Sequence, residues 1–408
     1  MTKYTRGSFQ LMKSINRSMI LNMIREKGPI SRAEIAKQTS LTPPTVSNIV
    51  KELIHTEFVI ETTQGASKGG RKPTLLEINA DNFYILGIDV GRYKMNIVVT
   101  NLYGALKDET VIPIPDYPSK EELIHSMKEG IHSMLNSSSH KRDKFVGIGV
   151  GMHGIVDPVN GISLFAPSFH LHDIPIKEEL ENDFQMIVKV ENDARTMTLG
   201  EYWFGNGNDS DHLVGVNVGN GIGAGVMING QLFHGEHNIA GEIGHVTIDL
   251  SGPKCTCGNY GCLQTFAAGP SIAERAKKEL KTGKPSLIHE LVDGDFEKVK
   301  GEIVYQAACE GDAFSIELLN QTGRYLGIGL TNLIHTLNPK RIIVGGGVAN
   351  ADHFLMKGIK ETIQTRGLTA KAKDTSIIFS KLGNYASAIG ACVLVLEDFF
   401  VSENGGSS

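Results

Sequence analysis

The chain has 408 residues, 41% hydrophobic and 21% charged, an ordinary globular composition at a length that calls for two or three domains rather than one core. No run of about 18 apolar residues occurs, so no membrane-spanning helix is expected. The opening residues are charged throughout and lack the apolar centre of a secretory signal, so a cytoplasmic location is expected. The net charge of −5 is divided unevenly: residues 1–80 hold 12 of the 40 Lys/Arg and 6 of the 45 Asp/Glu, leaving a head of +6 on a body of −11. A basic head on an acidic body suggests a nucleic-acid module joined to a soluble domain.

Leu11, Ile15, Met19, Ile20, Met23 and Ile24 recur at helical spacing and predict a first amphipathic helix ending near Gly28-Pro29. Ser31-Arg-Ala-Glu34 is a capping box, in which Ser31 covers one free amide and Glu34 reaches back to another. It opens a second helix with Ile35 and Ala36 inward. Thr42-Pro43 then pairs an N-cap with proline at the first helical position. The third helix runs to about Leu53, with Val46, Ile49, Val50 and Leu53 as its buried stripe and Thr45, Ser47, Asn48 and Lys51 outside. Two short helices joined by a tight turn, with small polar residues near the start of the second, follow the helix-turn-helix plan, whose second helix enters the major groove.

A strand from Glu57 to Glu61 and a partner from Pro73 to Asn79 flank a Gly-rich loop with Lys68, Arg71 and Lys72, a wing suited to phosphates or the minor groove. Arg32, Thr45, Ser47, Asn48, Lys51, Lys68, Arg71 and Lys72 are therefore the candidate DNA contacts, with operator double-stranded DNA as the expected partner. The competing reading is a helical dimerisation domain with a hairpin.

Past the head, Ile85 to Gly91 reads as a buried strand running into a glycine turn, followed by a strand from Met95 to Thr100. Leu213 to Gly219 and Gly225 to Ile228 repeat the pattern. Gly87/Gly215, Asp89/Asn217, Gly91/Gly219 and Asn101/Asn229 all lie 128 positions apart, which reads as one supersecondary unit used twice. Such turns present backbone amides able to cradle phosphate, and Gly345-Gly-Gly347 after the strand Arg341 to Val344 either admits a nucleotide base or forms a tight turn. Val146 to Gly151 is another strand, ending at Met152-His153-Gly154. Val188 to Asp193 is a strand ending in polar groups at the start of a helix, where Asp193 is either a general base for a hydroxyl or a helix N-cap.

Three of the five cysteines lie within eight residues: Cys255, Cys257 and Cys262, with His245 upstream. Three thiolates and an imidazole form the closed tetrahedral set expected of one structural zinc per chain, and Gly258, Asn259 and Gly261 let a short chain wrap round an ion. The alternatives are three buried thiols or a disulfide, which a single intervening residue would strain between Cys255 and Cys257. Glu242-Ile-Gly-His245 adds a carboxylate acceptor and an imidazole donor on one loop, which suits a polyhydroxylated ligand.

On these residues the chain resembles the ROK family (repressors, open reading frames and sugar kinases) over nearly its whole length. The head and the Gly-Gly-Arg-Lys-Pro73 ending of its wing resemble the winged-helix repressor branch that includes the xylose and N-acetylglucosamine repressors. The resemblance implies an α/β chain: a winged helix-turn-helix over residues 1–80, then an actin-like (ribonuclease H-like) two-lobed sugar-kinase fold. The first lobe would cover 81–193 plus a C-terminal helix at about 385–402, and the second 194–384 with the zinc loop. It further implies sugar contacts from Asn192, Asp193, Glu242 and His245, a sugar-backing role for Gly154, and an equivalent site position at Gln264.

Four departures from the family pattern carry weight. Asp89-Val-Gly91-Arg92-Tyr93 replaces Asp-x-Gly-Gly-Thr, and Gly219-Asn220-Gly221 replaces Gly-Thr-Gly. Both weaken nucleotide binding. Gln264 replaces a glutamate and His153 a proline, and both fall on the sugar site. The expectation is a sugar-responsive repressor without kinase activity, acting as a homodimer or homotetramer. Two other readings stand beside it: an ATP-dependent sugar kinase with an appended DNA-binding head and Asp193 as base, and a sugar-binding scaffold whose head binds protein.

Overall fold

The computed structural model describes residues 15–64 and 74–400. The head contains helices Ile15–Lys27, Arg32–Thr39 and Pro43–His55 with strands β1 (Ile30–Ser31), β2 (Val59–Gln64) and β3 (Thr74–Ile78), in sheet order β1-β3-β2. Both predicted caps form. Ser31 and Glu34 make the reciprocal capping box, and the Thr42 hydroxyl accepts the amide of Thr45. Ile20, Leu21, Ile24, Ile35, Val46, Val50, Leu53, Phe58 and Leu76 make the core.

The first helix is turned from the predicted face: Ser18 and Leu21 are buried, while Ile15 and Met19 are 45% and 38% exposed. The helix packs through positions 20, 21 and 24 rather than through the whole apolar run, which is wider than the surface its neighbours offer. Ile49 is half-buried beside the expected stripe. Leu11, Lys68, Arg71 and Lys72 lie outside the described residues.

The body holds two five-stranded sheets. The first contains β4 (Tyr84–Val90), β5 (Lys94–Asn101), β6 (Leu106–Pro113), β7 (Phe145–Met152) and, after the short strands β8 (Ile155–Asp157), β9 (Ile162–Ala166) and β10 (Leu171–Ile174), β11 (Ile187–Asn192), in order β11-β7-β4-β5-β6. The second contains β12 (Leu213–Val218), β13 (Ile222–Ile228), β14 (Gln231–Leu232), β15 (Arg341–Gly345) and β16 (Ser376–Phe379), in order β14-β13-β12-β15-β16. Read from opposite edges, the two orders are the same. Each sheet opens on an antiparallel hairpin, β4/β5 or β12/β13, and the first strand of each pairs in parallel with a later strand, β7 or β15. The 128-residue offset in sequence therefore has a matching topology.

The described chain falls into two compact units, residues 15–152, 157–191 and 391–400 in one and 153–156 and 192–390 in the other. Within the first, the head joins the β4 sheet through a ring stack of Phe58 on Phe83 (centroids 4.3 Å apart) and an ion pair of Lys144 Nζ with Glu57 Oε2 (2.6 Å). The C-terminal helix Ala386–Phe400 starts in the second unit and ends in the first. In the second unit the β12 sheet is covered by helices, with Val214, Val216, Leu263, Ile272, Leu330 and Ile334 among the buried core.

Candidate functional site

All of the sequence-predicted ligand residues fall in the second unit. β11 ends at Asn192, which caps the helix Asp193–Phe204: its Oδ1 accepts the amides of Ala194 (3.0 Å) and Arg195 (3.2 Å). The same side chain donates Nδ2 to the carbonyl of Gly154 at 2.9 Å, so Asn192 and Gly154 are neighbours although 38 positions apart. Asn192, and not Asp193, is thus the N-cap, because its extended backbone aims the side chain back at the first turn. Asp193 is the first helical residue. Its Oδ1 accepts the Ala194 amide at 2.9 Å and its Oδ2 accepts Asn217 Nδ2 at 3.1 Å.

The loop that follows β14 brings Glu242 and His245. Gly241 sits at φ +97°, and a Cβ there would lie 1.9 Å from the Ala224 carbonyl oxygen, so no other residue fits without moving the strand. Glu242 is half-buried; burial raises its carboxyl pKa, and His245 and Arg195 oppose the rise. Arg195, 2% exposed, donates Nη2 to the carbonyls of Asn238 (2.7 Å) and Ala240 (3.0 Å) on this loop. Sequence reasoning missed Arg195. The signal was a charged residue inside a run, Ala194 to Glu201, that the helix buries completely.

The cysteine segment folds back on the same loop. Ile248 donates its amide to Gly261 (2.8 Å), Leu263 donates to Val246 (2.9 Å), and Cys255 donates to Asn259 (2.7 Å). Gly261, at φ +66°, leaves no room for a Cβ, which would fall 1.5 Å from the Asp249 carbonyl oxygen. This backbone gathers the ligand atoms of His245, Cys255, Cys257 and Cys262 to within 4.8 Å of one another. His245 Nδ1 is 3.6 Å from Cys255 Sγ, and Cys257 Sγ is 3.7 Å from Cys262 Sγ. A tetrahedral ion with bonds of about 2.3 Å to sulfur and about 2.0–2.1 Å to nitrogen has edges of roughly these lengths. The cysteines are free thiols, and 3.7 Å is far beyond a sulfur–sulfur bond.

Burial pushes the Cys255 thiol up, but hydrogen bonds from the Cys257 backbone and thiol, Gln264 and His245 outweigh it and bring the pKa down to about 6. Burial and the neighbouring thiols push Cys262 up to about 12. A bound cation would release the thiol protons. The four side chains can hold a metal ion. Gln264, expected among the sugar contacts, donates Nε2 to Cys255 Sγ at 3.3 Å.

On the head, Asn48 and Lys51 are exposed, while Thr45 and Ser47 are half-buried. The Thr45 hydroxyl lies 2.8 Å from that of Thr42, inside the cap. Arg32 is ion-paired with Glu61 at 2.7 Å. At the glycine turn after β4, the Arg92 guanidinium lies over the Tyr117 ring, 4.7 Å from its centroid, and 5.5 Å from that of Tyr93.

A winged-helix head on a duplicated α/β body with a thiol–imidazole cluster defines a DNA-binding regulator built on a sugar-kinase-like frame. A ROK family model matches residues 85–398, a winged helix-turn-helix DNA-binding model matches residues 14–59, and the chain belongs to the ROK family. It is 32% identical over 394 residues to the xylose repressor of Caldicellulosiruptor bescii, covering 96% of this chain and 98% of that one. It is also 32% identical over 389 residues to the DNA-binding transcriptional dual regulator NagC of Escherichia coli strain K12, covering 95% and 94%. Among solved structures it is similar to a ROK family transcriptional regulator described as a homolog of the E. coli MLC protein, with a TM-score of 0.81 and 29% identity over 95% of this chain and 98% of that one. Among the described residues no helix is long and apolar enough to cross a membrane.

Proposed function

We propose that the chain is a sugar-responsive transcriptional repressor of a carbohydrate-utilisation operon, acting in the cytoplasm as a homodimer or homotetramer. The observation that carries this reading is the occurrence on one chain of a capped helix-turn-helix with exposed Asn48 and Lys51 and a second unit that holds the polar residues Asn192, Asp193, Glu242 and His245. The similarity to regulators extends over the head as well as the body. The names xylose repressor and N-acetylglucosamine repressor among its relatives direct attention to a pentose and an acetylated amino sugar as effectors.

Asn192 and Asp193 would meet sugar hydroxyls from the helix start, and Glu242 and His245 from the loop, with Gly154 behind the ring and Gln264 at the margin. A structural zinc, one per chain, fits His245, Cys255, Cys257 and Cys262. When bound it would fix the loop that carries Glu242 and His245. His245 turns Nδ1 to the thiols, which leaves Nε2 for a ligand hydroxyl. Arg32, Thr45, Ser47, Asn48, Lys51, Lys68, Arg71 and Lys72 would serve the operator, Thr45 and Arg32 only after leaving their present partners. Sugar shifts operator affinity only by binding the released and bound states unequally.

The kinase reading keeps Asp193 as base and ATP as donor. Against it stand Arg92 and Tyr93 in the first glycine turn, where a cation stacked on Tyr117 replaces the small residues that let phosphate approach the backbone.

Anisotropy titrations of the full chain on operator fragments, with and without each sugar, test the proposal. One sugar should move operator affinity by about tenfold or more, a coupling of about 1.4 kcal/mol. No DNA binding by the metal-replete chain, or no response to any sugar, would count against it. A coupled ATPase assay over the same sugars separates the kinase reading, which requires turnover at about 1 per second or faster.

A further inference from the structure

We infer that Arg195 is the positioning residue of the ligand loop, a staple that sets where Glu242 and His245 stand relative to Asn192 and Asp193. The inference rests on the reading of those four residues as ligand contacts and goes beyond it by assigning a role to a side chain that touches no ligand.

The loop between Leu232 and Ile243 has no buried side chain: from Phe233 to Glu242 every residue is exposed or half-buried, and Ile239 is 52% exposed. Apolar packing therefore does not fix its course. Three of its residues, Gly235 at φ +71°, Asn238 at φ +58° and Gly241 at φ +97°, hold positive-φ backbone, which is costly only at the non-glycine Asn238. Polar ties remain. The Gly241 carbonyl accepts the Ala224 amide at 2.8 Å, and the Ala240 amide donates to His234 at 3.1 Å.

Arg195 supplies the tie to the other half of the site. It stands three residues after the cap Asn192 and two after Asp193, so its Cα is fixed by the same helical turn. Its guanidinium reaches the carbonyls of Asn238 and Ala240, 43 and 45 positions away, at 2.7 and 3.0 Å. Both bonds leave one nitrogen, Nη2, of a planar guanidinium whose donors point in fixed directions, where an ammonium is a compact point donor on a flexible stem. The Arg195 charge also opposes the rise that burial imposes on the pKa of the half-buried Glu242. Helix start and loop are thereby held in one frame, and without the guanidinium two partly buried carbonyls are short of a donor.

The test uses the full, metal-replete chain with Arg195→Met, which keeps bulk and removes the donors, and Arg195→Lys, which keeps the charge. Hydrogen–deuterium exchange of a peptide covering 233–245 should be faster in Arg195→Met and intermediate in Arg195→Lys. Affinity for the sugar found with the wild type should fall about tenfold to a hundredfold in Arg195→Met, with partial recovery in Arg195→Lys. Metal content and sugar-free operator affinity should match the wild type. Wild-type exchange and wild-type sugar affinity in Arg195→Met would overturn the inference, as would equal losses in both variants accompanied by loss of metal. If Arg195→Met does not fold, Arg195→Lys alone decides by the same two readouts. A wild-type chain that binds no sugar would count against the repressor reading, and exchange would then decide the staple by itself.

Discussion

Asn217 Nδ2 donates to Asp193 Oδ2 at 3.1 Å, and so ties the second glycine hairpin to the start of the helix that follows β11. Its counterpart in the first hairpin, Asp89, instead accepts from Asn96 within its own hairpin, at 3.2 Å. The duplicated position has been turned to a new use: an amide at 217 holds a carboxylate in place, where a second carboxylate would repel it. Asp193 is thus oriented before any ligand arrives. Asp193→Ala should weaken sugar binding by about tenfold to a hundredfold while leaving sugar-free operator binding intact, because hydroxyl partners lose a charged acceptor. Calorimetry giving wild-type sugar affinity in this variant would mean that the ligand sits elsewhere.

The thiol–imidazole cluster predicts one tightly held zinc per chain. Cys257→Ser should lower thermal stability and sugar affinity together, since the loop carrying Glu242 and His245 is continuous with the ligand segment. Metal analysis of freshly purified, unchelated protein is the direct check; protein with no zinc would end this idea.

On the proposed reading of the head, Asn48 would read bases and Lys51 would meet phosphate. Asn48 is exposed near the start of the recognition helix, and asparagine can pair bidentately with adenine, so Asn48→Ala should cost about 1–3 kcal/mol on the cognate site and relax its specificity. Lys51→Ala, and the same change at Lys68, Arg71 or Lys72, should weaken cognate and scrambled duplexes alike and flatten the salt slope by about one unit for each phosphate that is no longer neutralised. Titrations at several salt concentrations distinguish the two classes. Unchanged DNA binding in all of them would make the head an assembly module.

Asp312 caps the long helix Ala313–Leu337, with Oδ2 accepting from the Ser315 amide (2.9 Å), the Ser315 hydroxyl (2.6 Å) and the Ser286 hydroxyl (2.8 Å). Burial raises its carboxyl pKa, but these bonds and one from the Leu287 amide outweigh it and the net shift is downward. A depressed folded pKa contributes stability above the unfolded value of about 3.9 and loses it as pH falls through the folded value. Asp312→Ala should cost about 1–3 kcal/mol at pH 7, and the gap to wild type should narrow below about pH 4. A gap in denaturation midpoint that stays constant from neutral pH to pH 3 would contradict this assignment.

What the sequence by itself determined is what rests on neighbours in the chain. The caps at Ser31 and Thr42, the strands that run into glycine turns, and the Cys255/Cys257/Cys262 spacing all depend on contacts a few residues apart. The 128-residue offset was also legible, because a repeated pattern marks a repeated fold without any contact needing to be known. Tertiary structure alone decided which polar groups face one another across longer separations. Asn192 meets Gly154, Asn217 meets Asp193 and Arg195 meets Asn238 at separations of 38, 24 and 43 residues. Tertiary structure also moved Arg32 into an ion pair with Glu61 and left Ile15 and Met19 outside the core. Local rules say whether a side chain is apolar, charged or able to cap; whether it is buried, and against which partner, depends on surfaces contributed by distant segments.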